Sequence, residues 1–193
     1  MRPPNYTGDF MRAAKMLFVI PAAIVAASIA HAAAPIAVGA KVPANFAAID
    51  AAGKPRDFAS IAGKKGTVLI FFRSASWCPY CQAQLKDVRA LPAELAKRGY
   101  TLAAISYDSH EKLADFAGRQ SVNYTLLSDK DSKMIDAFGL RDPAYAKGNF
   151  AYGVPRSTVL VIDAKGVVRR KLSTDDYKVR PNNAAILAAV DAR

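Results

Sequence analysis

Apolar and polar positions fall into two periods along this chain. Val68-Leu69-Ile70-Phe71-Phe72 is apolar on both faces, which suits a central strand covered by helices on each side. Tyr100 to Ser106 and Thr158 to Ile162 read as further strands. Asp163-Ala164-Lys165-Gly166 turns the latter into a hairpin partner, Val167 to Leu172. Phe46 to Ile49 and Tyr124 to Leu127 are shorter extended candidates. Between them the spacing becomes helical. Leu85, Val88, Leu91 and Leu95 share one face of a helix that stops before Gly99, and Pro92 predicts a kink because it has no amide hydrogen for the turn behind it. Leu113, Phe116 and Ala117 place a helix over 109–120, Met134 to Phe138 is a short helical piece, and a last helix covers 183–190. Strands alternating with helices, then a hairpin and a helix, predict an α/β sandwich on a mixed central sheet with helices on both faces.

The first residues break this pattern. Arg12 and Lys15 precede an apolar stretch from Met16 to Ala30, and Ala30-His31-Ala32 has the small-x-small form that a signal peptidase cuts. The stretch is shorter than the roughly 20 residues needed to cross a bilayer. The expected division is a signal peptide over 1–32, with Met11 as an alternative start, and one domain over 33–193. Expected localisation is the periplasm or the secreted fraction, without stable membrane insertion; an uncleaved anchor is the alternative.

Composition narrows the chemistry. Of 193 residues 52% are hydrophobic, enough for one core. The formal charge of +11 raises nucleic acid as a partner. The one local basic run (Lys165, Arg169, Arg170, Lys171, Lys178 and Arg180) lacks interleaved aromatics, so it reads as a solvated face and no nucleic acid is expected. Asp129, Asp131 and Asp136 lack calcium-loop spacing and read as solvated capping. With His31 in the leader, His110 is the one histidine left, and it reads as a surface or capping residue. Two cysteines cannot complete a zinc site, so neither metal nor cofactor is expected.

Those cysteines are Cys78 and Cys81, in Trp77-Cys78-Pro79-Tyr80-Cys81. A bridge over so short a loop removes little unfolded-state entropy, which argues against a structural staple. The pair follows a buried strand and opens a helix, where free amides and the dipole lower a thiol pKa. Arg73 and Lys86 are nearby sources of positive potential, and Trp77 and Tyr80 offer apolar cover. A redox-active Cys78–Cys81 disulfide is therefore expected. Cys78, nearest the open end of the helix, is expected to be the exposed nucleophile, and Cys81 to resolve its product.

From 38 to 190 the chain resembles the thioredoxin-fold superfamily, and within it the alkyl hydroperoxide reductase and thiol-specific antioxidant (peroxiredoxin-like) branch. The Trp-Cys-x-x-Cys run carries the first likeness. Gly153-Val154-Pro155-Arg156-Ser157-Thr158, opening a strand that ends in Ile162-Asp163, is similar to the bacterioferritin-comigratory peroxiredoxins. The resemblance implies a thioredoxin-like fold with a peroxiredoxin-type N-terminal extension, and puts Arg156 in the place of the arginine aimed at the reacting sulfur. Departures accompany it. The Pro-x-x-x-Thr/Ser-x-x-Cys pattern holds Phe71 and Ala75 when counted back from Cys78, and Ser74 and Cys78 when counted back from Cys81. Ser74 and Ser76 are candidates for the missing hydroxyl. Ser157 stands where thioredoxins place a cis-proline, with Pro155 two residues early. Phe72 occupies the place of their buried acid. Arg73, Ser74, Ser76, Trp77, Pro79, Tyr80, Pro155, Ser157 and Thr158 are thus the residues expected to shape a site whose catalytic members are Cys78, Cys81 and Arg156. The aromatics of 141–150 either cover that site or fill a loop.

The expected function is reduction of hydroperoxides through a Cys78/Cys81 dithiol–disulfide cycle, reset by an external dithiol donor. The alternatives are reduction of protein disulfides, and a non-catalytic binding module with a locked bridge.

Overall fold

The computed structural model describes residues 34–192, together with Met1, Arg2 and Pro4. Contacts divide the chain between His31 and Ala32, and the fold is that of the second unit. The expected leader lies outside the described residues. Among the described residues no helix is long and apolar enough to cross a membrane.

Among the described residues seven strands form one mixed sheet: β1 (Ala48–Asp50), β2 (Pro55–Arg56), β3 (Gly66–Phe71), β4 (Tyr100–Ser106), β5 (Thr125–Ser128), β6 (Thr158–Asp163) and β7 (Val168–Ser173), in the order β2-β1-β5-β4-β3-β6-β7. Strands β3, β4 and β5 run parallel, β6 returns antiparallel beside β3, and β7 pairs antiparallel with β6 at the edge. Gly66 starts β3 at φ +139°, and a Cβ there would lie 1.9 Å from the Ile162 carbonyl oxygen, so only glycine lets β6 approach.

Alternation along the strands makes two cores. Val68, Ile70 and Phe72 face one side with Leu102, Ala104, Val159 and Val161. That side is covered by α2 (Pro79–Asp87), a 3₁₀ turn (Val88–Ala90), α3 (Leu91–Lys97), α4 (His110–Gln120) and α6 (Asn183–Asp191). Leu69, Phe71, Ala103, Ile105, Leu160 and Ile162 face the other, under α1 (Phe58–Ile61), α5 (Lys133–Ala137) and the N-terminal lead-in, from which Ile36 and Phe46 are buried. Helices on both faces of a mixed sheet is the expected architecture. The kink expected from Pro92 is the 3₁₀ turn. Val88, four residues earlier, would have received the missing amide hydrogen; its carbonyl accepts from the Leu91 amide instead.

Candidate active site

The site lies at the carboxyl ends of β3 and β4, where parallel sheets open a crevice. After Phe72 the chain turns through Arg73-Ser74-Ala75-Ser76, and Asp108, just past β4, fixes that turn. Its carboxylate accepts from the Ser74 hydroxyl at 2.8 Å, the Ala75 amide at 2.7 Å and the Ser106 hydroxyl at 3.1 Å. Burial holds the Asp108 carboxyl above the usual range despite these donors. Ser74 also accepts from the Ser76 and Trp77 amides. Neither candidate hydroxyl is therefore set to orient a peroxide: Ser74 is spent on the turn, and Ser76 is exposed.

Cys78 is the N-cap of α2. Its backbone is extended, Pro79 occupies the first turn, and Sγ accepts from the Cys81 amide at 3.3 Å. The two cysteines are joined as a disulfide with Cα atoms 5.2 Å apart. Both are buried: Cys78 is 1% exposed and Cys81 0%. The expected exposure of Cys78 is not what the fold provides, because two segments distant in sequence close over the pair.

One of these is the excursion at 141–157. Phe150 packs edge-on to Trp77 at 5.2 Å, and Tyr107 links them, accepting from Trp77 Nε1 and donating to the Phe150 carbonyl. The other is the stretch after β7, which brings Tyr177 edge-on to Tyr80 at 5.9 Å. Arg73 lies buried between them. Its guanidinium sits 5.0, 4.9 and 4.4 Å from the ring centres of Trp77, Tyr145 and Tyr177, and donates to the Tyr145 hydroxyl. The aromatics of 141–150 thus serve as cover for the site.

The arginine at the sulfur is not Arg156. Residues 159 and 161 face the cysteine core and 160 and 162 the opposite one, so an even-numbered residue at the head of β6 points away. Arg156 is exposed, and its Nη2 donates to the Gly139 carbonyl at 3.3 Å. Ser157 has the cysteine-facing parity, and its buried hydroxyl has no partner among the described residues. Thr158 donates to the Arg156 carbonyl, and Pro155 is buried in a bridge with Arg141. Lys86 is exposed on the last turn of α2.

Arg180 takes the place instead. Its Nη2 lies 3.7 Å from Cys81 Sγ. Burial, and then the charge of Arg73, push its pKa down to about 10. A desolvated guanidinium against the Cys81 sulfur, with the charge of buried Arg73 acting nearby, favours a thiolate once the disulfide is reduced. In the sequence Arg180 belongs to the solvated basic run; Pro181-Asn182 marks a helix start after it, but the contact with Cys81 is made between segments far apart in the chain. Asp129 departs in the same way from the reading of its acidic string: it is buried, accepting from the Ile135 amide at 2.8 Å.

A reducible pair at a helix start, under positive charge and an aromatic cover, is the geometry of a thiol redox centre. The AhpC/TSA family model matches residues 38–171. The chain belongs to the AhpC/TSA family. Peroxiredoxin Bcp of Escherichia coli K12 is 31% identical over 153 residues, spanning 79% of this chain and 94% of that protein. Among solved structures, Peroxidoxin BcpB of Mycobacterium tuberculosis superposes with a TM-score of 0.66 at 26% identity, over 80% of this chain and 94% of that one. Reduced Prx3 of Vibrio vulnificus, in complex with H2O2, superposes with a TM-score of 0.69 over 80% of this chain and 99% of its own; at 22% identity that likeness speaks for the fold. An AhpC/TSA member with these relatives is a thiol-dependent oxidoreductase of thioredoxin-like fold, and the relatives favour neither protein disulfide reduction nor a locked bridge. Arg180 lies beyond the stretch that the family model matches.

Proposed function

We propose that this protein is a thiol peroxidase in which Cys81 attacks the hydroperoxide and Cys78 closes the disulfide. The contact between the Arg180 guanidinium and Cys81 carries that order, which reverses the one expected from the sequence. In the reduced protein a Cys81 thiolate attacks the near peroxide oxygen. The O–O bond breaks, and the far oxygen takes the electron pair and a proton and leaves as water or an alcohol. Arg180 stabilises charge on the attacking sulfur and on the departing oxygen. Cys81, now a sulfenic acid, is attacked by Cys78; the hydroxyl leaves as water with the Cys78 proton, and the disulfide forms. An external thiol reductant returns two electrons and two protons. The cycle needs no cofactor beyond the cysteine pair.

Dimedone trapping tests the order. Reduced Cys78→Ser and Cys81→Ser proteins are treated with one equivalent of hydrogen peroxide, and the sulfenic adduct is located by mass. The adduct is expected on Cys81 of the Cys78→Ser protein. Faster trapping on Cys78 of the Cys81→Ser protein restores the original order.

Export rests on Arg12, Lys15, the apolar stretch and Ala30-His31-Ala32. We place the mature protein in the periplasm, starting at Ala33. The intact mass of the protein recovered from its native compartment checks this, and an uncut N-terminus on cytoplasmic material overturns it.

A further inference from the structure

Arg73, just past β3 at the mouth of the site, is 4% exposed. No carboxylate pairs with it among the described residues. Its Nη2 donates to the Tyr145 hydroxyl, and its Nε has no hydrogen-bond partner there. A buried charge is ordinarily paired. Here the counterpart is aromatic: the ring centres of Trp77, Tyr145 and Tyr177 lie 5.0, 4.9 and 4.4 Å from the guanidinium carbon, within reach of cation–π attraction.

The three rings come from three places in the chain. Trp77 belongs to the turn that carries the cysteines, Tyr145 to the excursion at 141–157 and Tyr177 to the stretch after β7. One side chain thus ties both halves of the cover to that turn. The other ties are looser. Phe150 meets Trp77 from an exposed position, the Tyr107 hydroxyl reaches the Phe150 carbonyl only at 3.4 Å, and half-exposed Tyr177 and Tyr80 meet edge to face. None of these contacts includes a sulfur atom, so reduction of the disulfide removes none of them.

A cation suits a cover that must part. Closed, the guanidinium is held by the rings; open, it regains its hydration, which lowers the cost of parting. An apolar side chain would gain nothing from water in the open state.

We propose that Arg73 is a specificity-determining residue: it latches the aromatic cover, so that hydrogen peroxide reaches the cysteine pair while hydroperoxides bearing bulky organic groups are held back. The proposal rests on the peroxidase reading for its substrate. Hydrogen peroxide is little larger than water and passes a cover that shifts locally. A hydroperoxide with an aryl group needs Tyr145 and Tyr177 to separate. Arg73 acts through these rings and not on the reacting atoms, so it is a positioning residue. Its charge also bears on Arg180, but that influence reaches the attacking sulfur in the same way for every hydroperoxide. The ratio of two substrates cancels it.

The prereduced full chain is oxidised in quenched flow by hydrogen peroxide and by cumene hydroperoxide. Disulfide formation is read by mass after alkylation, a readout that does not pass through Trp77. The cumene-to-hydrogen-peroxide rate ratio, divided by the same ratio for free cysteine, is expected to lie well below one in the wild type. It should rise about tenfold in Arg73→Ala, the order that three such contacts supply together. Arg73→Lys, which keeps a cation among the rings, should return it toward the wild-type value. Arg73→Ala added to a Tyr145→Ala, Tyr177→Ala protein should change it little, because the partners are gone. An unchanged ratio in Arg73→Ala overturns the proposal, as does an equal rise in Arg73→Lys. If Arg73→Ala does not fold, the Tyr145→Ala, Tyr177→Ala protein decides in its place, and an unchanged ratio there overturns the proposal. Slow oxidation of the wild type by both hydroperoxides removes the peroxidase reading. Alkylation of the reduced protein by iodoacetamide and by a bulky maleimide then tests the latch by itself, and a ratio that Arg73→Ala leaves unchanged overturns it.

Discussion

Arg180 holds its charge in a poorly solvated place, next to a second guanidinium whose repulsion outweighs the opposing charge of Asp176. In the oxidised protein that is unfavourable; a thiolate on Cys81 relieves it, so the arginine and the sulfur stabilise each other in the reduced state. Charge that grows on oxygen as the peroxide bond breaks is stabilised by the same group, and removing one such donor typically costs about 10²-fold in rate. Arg180→Ala is therefore expected to slow oxidation of prereduced protein by hydrogen peroxide about 10²-fold in stopped-flow fluorescence. Arg180→Lys should fall between, because it keeps the charge and loses the planar fork. Arg156→Ala, which changes an exposed side chain hydrogen-bonded to Gly139, should stay near the wild-type rate. A large loss at Arg156 with none at Arg180 would return the role to the residue that the family resemblance names. In this structure Arg156 stands ahead of β6, off the cysteine-facing parity, and a motif quoted as a string does not carry that parity.

At the scale of elements, the catalytic helix depends on the turn that feeds it. Asp108 reaches across from the end of β4 to hold Ser74 and Ala75, and Gln82 on α2 donates back to the carbonyls of Ala75 and Ser76. Replacing Asp108 with Ala strands a buried hydroxyl and a buried amide, at a cost of about 3 kcal/mol. Urea unfolding should show that loss; Asp108→Asn, which retains an acceptor, should lose about 1 kcal/mol. A loss below 1 kcal/mol for the alanine variant would mean the turn is held by other contacts. The elements themselves were readable from the chain because each strand of the sheet's middle is a short apolar run buried on both faces and each covering helix is apolar at a helical period. What could not be read was contact between elements. Asp108 carries no motif, and its importance comes from standing at the carboxyl end of a strand parallel to β3. The aromatic cover is assembled from 141–157 and 174–182, segments without periodicity. Tyr145, Phe150 and Tyr177 meet only because Arg73 and Trp77 lie between them. The cover adds its own expectation. Phe150 is 75% exposed and rests on Trp77, so Phe150→Ala should quicken reduction by dithiothreitol several-fold, the rate rising with access to the sulfurs. An unchanged rate would show that the cover opens faster than the chemistry.

For the molecule as a whole, acid stability has terms of both signs, with Asp108 and Asp129 raised by burial against the rest. Asp50, Asp163 and Asp191 have carboxyls held below their ordinary range by hydrogen bonds and paired arginines, so they stabilise the fold at neutral pH and lose that contribution as pH falls. Asp129 behaves in reverse. Its carboxyl, just past the end of β5, caps α5, and burial raises its pKa from 3.8 to about 6 even though it accepts from the Ile135 amide. Below about pH 4 it is protonated in both folded and unfolded chains and carries no penalty. As pH rises from 4 to 6 the unfolded chain gives up its proton first, so folding must either keep a proton that the solvent no longer favours or bury a charge. Above pH 6 the full penalty is present, at most about 3 kcal/mol for a shift of this size. Asp129→Asn keeps an oxygen for the Ile135 amide and removes the ionisation. The constant cost or gain of the swap cancels when each protein is compared with itself across pH. Relative to wild type, the asparagine protein is thus expected to gain up to about 3 kcal/mol between pH 4 and pH 7.5 in urea unfolding, with the change centred between 4 and 6. Parallel stability profiles for the two proteins would show that Asp129 is ionised at no cost, and that its site is better solvated than its burial indicates.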